Sequence, residues 1–310
     1  MRETIQDAQF LSRVSVVIDI FSTSILLEAL APSKLSTVSG YKGVKDLNII
    51  HFAYTPNVLR PSLEKTAKDA ITSEGLRLGS YLLEYVNNVN AYPFLKTNTA
   101  FGYLMLASPL LYVIIKALTY GGDTDISNVV SKYHHVIIEG LKKENIKSFY
   151  LALRKASIKH LGEYFGKIPS VNTENDSILE NFSLFDVLKE SMYLDLVSHE
   201  IVTGFRRVLE VYNAMLNEEL ALKKLLDSVT LAHMRMLSSN IDTLVLKSKN
   251  LNCALLLKYL STVRTVITKD VWDRIDNYVR ENELNPGSIS DIVAAGLALR
   301  QVSAYITQSI

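Results

Sequence analysis

Phe101-Gly-Tyr-Leu-Met-Leu-Ala-Ser-Pro-Leu-Leu-Tyr-Val-Ile-Ile115 is the stretch of this sequence that decides the fold. No charged side chain occurs from Thr97 to Ile115, so a helix formed here is apolar on every face. The length approaches what a lipid bilayer requires, and a membrane span is therefore one interpretation. Ser108 and Pro109 inside the run favour the other interpretation, a helix buried at the centre of a large helical domain. We expect the buried helix and no membrane contact.

The sequence on both sides of that run predicts further helices. Apolar residues recur at spacings of three and four over 8–31, and similar segments continue to 289–308. Val, Ile and Thr are frequent, but nowhere do they alternate over the length of a strand. We therefore predict an all-α fold, in which residues 1–310 form a single large domain of many helices around the apolar one.

The segment 33–62 is predicted to be irregular. It contains two glycines together with Pro56 and Pro61, and both residue types interrupt helices. A loop of this length in a compact domain is usually functional or disordered. Because it also carries polar side chains such as Lys34, we interpret it as a candidate lid over a binding site. The alternative for Lys34 is a solvated position on the surface.

Composition narrows the classes of function. The 310 residues have a formal net charge of +1 and no long basic run, which argues against a nucleic-acid partner. A single cysteine, Cys253, cannot form an intrachain disulfide and fits a reducing compartment. No signal peptide is recognisable in the first residues, so we expect a cytoplasmic protein. The sequence leaves open whether the protein forms a homo-oligomer.

Three polar stretches coincide with predicted helix N-termini. They are Thr97-Asn98-Thr99, Asp242-Thr243 and Asn285-Pro-Gly-Ser-Ile-Ser-Asp291. The free N–H groups and the dipole of a helix N-terminus favour phosphate binding. Capping explains each stretch alone, since Ser288 and Asp291 have the spacing of a capping box, which contributes about 1 kcal/mol. Together, the three stretches suggest helix ends that converge on a polyanion with a metal ion.

The order of these stretches resembles the ATP:dephospho-CoA triphosphoribosyltransferases, also called triphosphoribosyl-dephospho-CoA synthases, in a divergent archaeal form. That family carries N-T-x-x-G, D-T and [SN]-P-G-x-x-A-D motifs. The corresponding residues here are Asn98-Thr99-x-x-Gly102, Asp242-Thr243 and Asn285-Pro-Gly-Ser-x-x-Asp291. The resemblance covers roughly residues 15–305. One departure is Pro32-Ser-Lys-Leu35 where the family has P-K-P-G, and this difference bears on which acceptor the loop would admit.

The resemblance implies an enzyme that transfers the triphosphoribosyl group of ATP to the 2′-hydroxyl of dephospho-CoA, or to a related nucleotide-like acceptor, with release of adenine. Such a reaction needs a triphosphate held with Mg²⁺, an acid for the departing base and a carboxylate that receives the hydroxyl proton. By resemblance, Asp242 and Asp291 are candidates for metal binding and acid–base catalysis. The candidates for nucleotide and phosphate binding are Lys34, Asn98, Thr99, Gly102, Thr243, Lys247, Asn285, Gly287 and Ser288. Further candidate metal ligands are Glu28, Asp195 and Glu200.

Two other classes of function stay open. The altered loop is compatible with a non-catalytic relative that binds a nucleotide or a partner protein through its helical scaffold. The carboxylates alone are compatible with a nucleotide phosphatase or hydrolase on the same frame. Motifs for a P-loop, for dinucleotide binding and for an H-E-x-x-H zinc site are absent from the sequence, and its six histidines are scattered. Sites of those three types are therefore not predicted.

Overall fold

The computed structural model describes residues 2–92, 94–95, 98–121, 125–158, 166–173, 175–217 and 221–308. These residues contain fifteen α-helices, one 3₁₀ helix at Val263–Thr265 and no β-strand. The all-α prediction is confirmed. The helices are α1 Arg2–Leu30, α2 Ile49–Ile71, α3 Leu78–Ala91, α4 Phe101–Thr119, α5 Ile126–Lys143, α6 Lys147–Lys155, α7 Asp176–Leu179, α8 Leu184–Ser191, α9 Leu196–Thr203, α10 Arg206–Met215, α11 Leu222–Ser239, α12 Thr243–Ser248, α13 Leu251–Thr262, α14 Lys269–Glu281 and α15 Gly287–Gln308.

The apolar helix α4 lies inside the protein, as its sequence predicts. Of its 19 residues, 15 are buried, which leaves no face of the helix open to solvent. It contacts α1, α2, α3, α5, α9 and α15. Burial of each large apolar side chain contributes about 1.5–3 kcal/mol, so this helix is a major source of the stability of the fold.

Three of the described helices are long and apolar enough to cross a membrane by length and composition. They are Ala8–Leu30, which is most of α1, together with α4 and α15. In the 18-residue stretch of each helix that meets this criterion, the buried share is 83% for α4 and 72% for α15, but only 39% for α1. Packing inside the protein thus accounts for the apolar character of α4 and α15. The absence of a membrane partner stays a prediction.

The prediction of an irregular loop over 33–62 is wrong for its second half. The connection ends at Asn48, and α2 contains both Pro56 and Pro61. Asn48 starts the helix, because its side chain forms a capping box with His51. Each proline removes one backbone hydrogen bond, but packing of α2 against α1, α3 and α4 outweighs that loss.

The remaining connection, residues 31–48, packs against the helices. Lys34 within it is fully buried, so the interpretation of Lys34 as a solvated residue is wrong. The buried Asp276 of α14 accepts a hydrogen bond from the N–H of Ser36 at 2.9 Å. This contact fixes the connection to α14. That the segment acts as a lid stays a prediction.

Buried apolar side chains from α1 to α15 belong to one hydrophobic core. The last helix, α15, packs against α1, α4, α10 and α11, and it also touches α12. These contacts bring the N-termini of α4, α12 and α15 towards one another. The single-domain organisation stays a prediction, and this shared core supports it.

Candidate active site

Asp242 joins the N-termini of two helices. It is the N-cap residue of α12, where its Oδ1 atom accepts a hydrogen bond from the N–H of Val245 at 2.9 Å. Its Oδ2 atom accepts one from the N–H of Ile289, in the first turn of α15, also at 2.9 Å. Burial raises the pKa of Asp242 to about 6, although both N–H groups favour the charged form. This carboxylate therefore holds α12 against α15.

A pair of hydroxyl groups joins the same helices. Thr243 Oγ1 and Ser288 Oγ are hydrogen-bonded at 3.1 Å, and Thr243 Oγ1 also accepts the N–H of Leu196 at 3.0 Å. The capping box predicted for Ser288 and Asp291 is wrong. The helix begins at Gly287, so Ser288 lies inside it and its hydroxyl bonds Thr243. Asp242, at the start of the neighbouring helix α12, caps the N-terminus of α15 instead.

Asp291 lies against the N-terminus of α4. The backbone N–H of Tyr103 faces its carboxylate and favours the charged form. Burial nonetheless raises the pKa of Asp291 well above its ordinary value, and the nearby charges of Glu28, Asp242 and Asp195 raise it further. Part of the Asp291 surface remains accessible to solvent, whereas Glu28 and Asp242 are buried.

The other carboxylates around Asp291 each have a partner. Lys34 Nζ lies 2.7 Å from Glu28 Oε1, and it also donates to the backbone oxygen of Glu28 at 2.6 Å. Lys247 forms an ion pair with Asp195, and backbone N–H groups bind Asp242. Among the residues that the structure describes, no Lys or Arg pairs with Asp291. Of these four carboxylates, Asp291 therefore has the fewest partners that offset a negative charge.

Asn98 and Thr99 shape the start of α4. Asn98 Oδ1 accepts the N–H of Phe101 at 3.0 Å, which satisfies one of the free donors at this terminus. Thr99 Oγ1 is hydrogen-bonded to Thr55 Oγ1 of α2 at 2.7 Å. Both Asn98 and Thr99 are partly accessible. Thr97, which precedes them in the predicted motif, lies outside the described residues.

Asn285 and Gly287 form the turn into α15. The N–H of Gly287 donates to the backbone oxygen of Asn285 at 2.8 Å. A Cβ atom on Gly287 would lie 2.6 Å from Leu244 Cδ2, so glycine lets α12 approach α15 closely. These contacts give both residues a structural role. Their part in phosphate binding stays a prediction.

Glu200 is separate from the carboxylates around Asp291. Its buried side chain accepts the N–H groups of Arg207 at 2.7 Å and Val208 at 3.1 Å, and it pairs with the Arg207 guanidinium at 2.9 Å. These bonds hold a left-handed turn at Gly204 and Phe205, with φ of 93° and 61°. The turn separates α9 from α10. We therefore assign Glu200 a structural role in this turn, whereas the sequence suggests it as a candidate metal ligand.

His233 is not among the residues that the sequence predicts for the site. This residue of α11 is fully buried, and neither ring nitrogen has a hydrogen-bond partner among the described residues. Burial lowers the pKa of His233 well below its ordinary value, and the neighbouring charge of Lys34 lowers it further. The hydroxyl group of Ser290 is also buried; it faces Glu28 and favours the charged form of that carboxyl group. Nothing in the local sequence distinguishes His233 from the other histidines.

The described residues do not form a complete metal site. Among them, no group of three or more His, Cys, Asp or Glu side chains could hold an ion. However, Mg²⁺ commonly takes one or two carboxylates and completes its coordination with phosphate oxygens and water. Asp291 fits that pattern, because it is partly accessible and no Lys or Arg in the described part of the chain pairs with it. It is therefore the residue best suited to bind a metal ion together with a nucleotide.

Comparison with known proteins identifies the chain as a transferase with an all-helical fold. It belongs to the ATP:dephospho-CoA triphosphoribosyl transferase family, whose model matches residues 15–309. A crystal structure from Archaeoglobus fulgidus, described as that of a triphosphoribosyl-dephospho-CoA synthase, superposes with a TM-score of 0.60 at 17% identity. The match covers 83% of this chain and 99% of that chain, and it shows a shared fold. No curated protein matches the chain.

Proposed function

We propose that this transferase moves the triphosphoribosyl group of ATP to the 2′-hydroxyl of a nucleotide-like acceptor, dephospho-CoA in the family, and releases adenine. The observation that carries the proposal is the place of Asp291. The residue as a whole is partly accessible, its carboxylate has no cationic partner among the described residues, and it lies at the N-terminus of a buried helix. Family membership supplies the reaction type.

The triphosphate would bind where the helix N-termini converge. Each helix N-terminus carries about half a positive charge, which attracts phosphate. Asn98 and Thr99 are partly accessible there and would contact phosphate oxygens. Lys247, exposed on α12 and paired with Asp195, would supply a positive charge. Thr243 and the neighbouring Ser288 are buried and bonded to each other, so their part would be to hold the helices in place.

Asp291 would hold Mg²⁺ together with the phosphate oxygens. When bound, the ion would neutralise negative charge on the triphosphate and on the cluster of carboxylates. The accessible Asp291 suits this role, because Glu28 already pairs with Lys34 and both oxygens of Asp242 accept backbone N–H groups. Asp242 is thus better suited to positioning than to direct contact with substrate.

The reaction breaks the bond between C1′ of the ATP ribose and N9 of adenine. A new bond forms between that C1′ and the 2′-oxygen of the acceptor. The hydroxyl proton leaves the acceptor and adenine takes up a proton, so the exchange is balanced. Positive charge develops at C1′ as the old bond breaks and before the new bond is complete. A carboxylate such as that of Asp291 stabilises such a centre and accepts the proton of the acceptor hydroxyl. Accordingly, we assign both tasks to Asp291.

The test is incubation of the purified protein with ATP, Mg²⁺ and dephospho-CoA. We expect chromatography to show free adenine and, in equal amount, an acceptor whose mass has increased by one triphosphoribosyl group. Asp291→Asn removes the charge but keeps the shape, and we expect it to lower the rate by about 10²–10⁴-fold. The matched control is Asp227→Asn, on the exposed face of α11, which should leave the rate unchanged.

Two outcomes would overturn the proposal. If orthophosphate is released and adenine is not, the protein is a nucleotide hydrolase of the kind that the carboxylates also permit. If ATP binds equally well to the wild type and Asp291→Asn, and neither releases adenine, the protein is a non-catalytic nucleotide-binding relative.

A further inference from the structure

Gly102, the second residue of α4, lies in contact with Asp291. A Cβ atom built on Gly102 would lie 2.2 Å from Asp291 Oδ2 and 3.2 Å from Asp291 Cγ. Carbon and oxygen atoms that are not bonded do not approach as closely as the first of these distances. A third neighbour, Val197 Cγ2, would lie 3.5 Å from the same Cβ, so space on that side is also limited. A side chain at position 102 and the present position of the Asp291 carboxylate therefore exclude each other.

The backbone conformation gives no other reason for glycine at this position. Gly102 is helical, and the described glycines with positive φ are Gly121 and Gly204. Alanine favours a helix over glycine, because glycine loses more conformational freedom on folding. Glycine at position 102 is thus a local disadvantage for α4. The close approach of Asp291 accounts for it.

We propose that Gly102 is a positioning residue, whose missing side chain lets the Asp291 carboxylate rest against the N-terminus of α4 at the place the reaction needs. The sequence pattern suggested instead that Gly102 contacts phosphate. The present inference rests on the proposed function for its catalytic part. Its geometric part, the exclusion between a Cβ at 102 and the carboxylate, is independent of activity.

The substitution Gly102→Ala would displace the carboxylate by about 1 Å, because an ordinary contact between the new Cβ and Asp291 Oδ2 needs about that much extra space. The carboxylate would then also lose the backbone N–H of Tyr103 that now faces it. A misplacement of about 1 Å in an active site can lower the rate by about 10²-fold. We expect a loss of that size in kcat, with a smaller change in the KM for ATP.

The test combines Gly102→Ala with Asp291→Ala in a double-mutant cycle. In the Asp291→Ala background the carboxylate is gone, and the new methyl group has room. There we expect Gly102→Ala to raise the melting temperature by about 1–2 °C through its better helix propensity. In the wild-type background we expect no such rise. The matched control is Gly75→Ala, since a Cβ at Gly75 has no neighbour within 4 Å, and it should leave kcat unchanged.

The outcomes separate this inference from the proposed function. An equal shift of the melting temperature by Gly102→Ala in both backgrounds would overturn the geometric part. A kcat for Gly102→Ala equal to that of the wild type would overturn the positioning role. If the wild type releases no adenine, the proposed function fails, whereas the melting temperatures of the cycle still decide whether Gly102 makes room for Asp291.

Discussion

Removal of the Lys34 ammonium group should strongly destabilise the protein. Lys34 and Glu28 form an ion pair at 2.7 Å, and their side chains are 0% and 3% exposed. In Lys34→Met the side chain keeps a similar length but becomes wholly apolar, and Glu28 loses its only cationic partner among the described residues. Burial already raises the pKa of Glu28, and the charge of Lys34 counteracts part of this rise. The variant therefore leaves an uncompensated acid in the interior.

The size of the effect follows from this burial. Removing one partner of a buried ion pair costs about 3–5 kcal/mol. The entropy of unfolding is about 2.1 cal/mol/K per residue, or about 0.65 kcal/mol/K for a chain of 310 residues. The melting temperature of Lys34→Met should thus fall by about 5–8 °C. In the double variant Glu28→Met with Lys34→Met, both charges are gone, and most of this loss should be recovered, since apolar replacement of a buried pair is often neutral.

Thermal unfolding followed by circular dichroism measures both variants. A melting temperature of Lys34→Met within about 1 °C of the wild type would refute the reasoning, because it would mean that Lys34 is solvated in solution. A double variant as unstable as the single one would show that the loss comes from packing of the lysine chain and has little to do with charge.

Two further predictions concern other buried polar groups. His233→Leu should reduce the loss of stability between pH 7 and pH 5: the pKa of His233 is lowered in the folded state, so the unfolded chain takes up the proton first as the pH falls below about 6.5. Equal acid sensitivity of wild type and variant in urea denaturation at the two pH values would contradict this. Asp242→Ala should lower the free energy of unfolding by about 2–4 kcal/mol, because the N–H groups of Val245 and Ile289 lose their acceptor. Asp242→Asn keeps one carbonyl oxygen, so its free energy of unfolding should fall by less in the same urea titration. Equal losses in the two variants would contradict the inference that Asp242 caps both α12 and α15.

Patterns that lie within one segment allowed the fold to be predicted. The uncharged run of α4 predicts a helix buried on every face, and the structure has that helix. The prolines of α2, in contrast, make the prediction from the sequence wrong. Pro56 and Pro61 predict a loop, because a proline removes a backbone hydrogen bond, and the tertiary packing that outweighs this loss leaves no signal in the local sequence.

The candidate site was predictable as a set of segments but not as a set of contacts. The sequence marks Asp242 as a residue at a helix N-terminus, and it is the N-cap of α12. That its second oxygen caps α15 depends on how two distant helices meet, which no spacing reveals. The burial of Lys34 and the close approach of Gly102 to Asp291 depend in the same way on tertiary structure.

The place of α15 has a consequence for how the protein is made. Asp291 lies on this helix, whereas the groups around it come from α1, α4 and the N-termini of α9 and α12. The ribosome completes α15 about 190 residues after α4, which is about 10–40 s of synthesis at 5–20 residues per second. During that time the apolar surface of α4 lacks one of its covers, so a nascent chain at this stage is a natural client for chaperones. A chain that has not docked α15 also has no Asp291 at α4, so the candidate site forms only after α15 has been made.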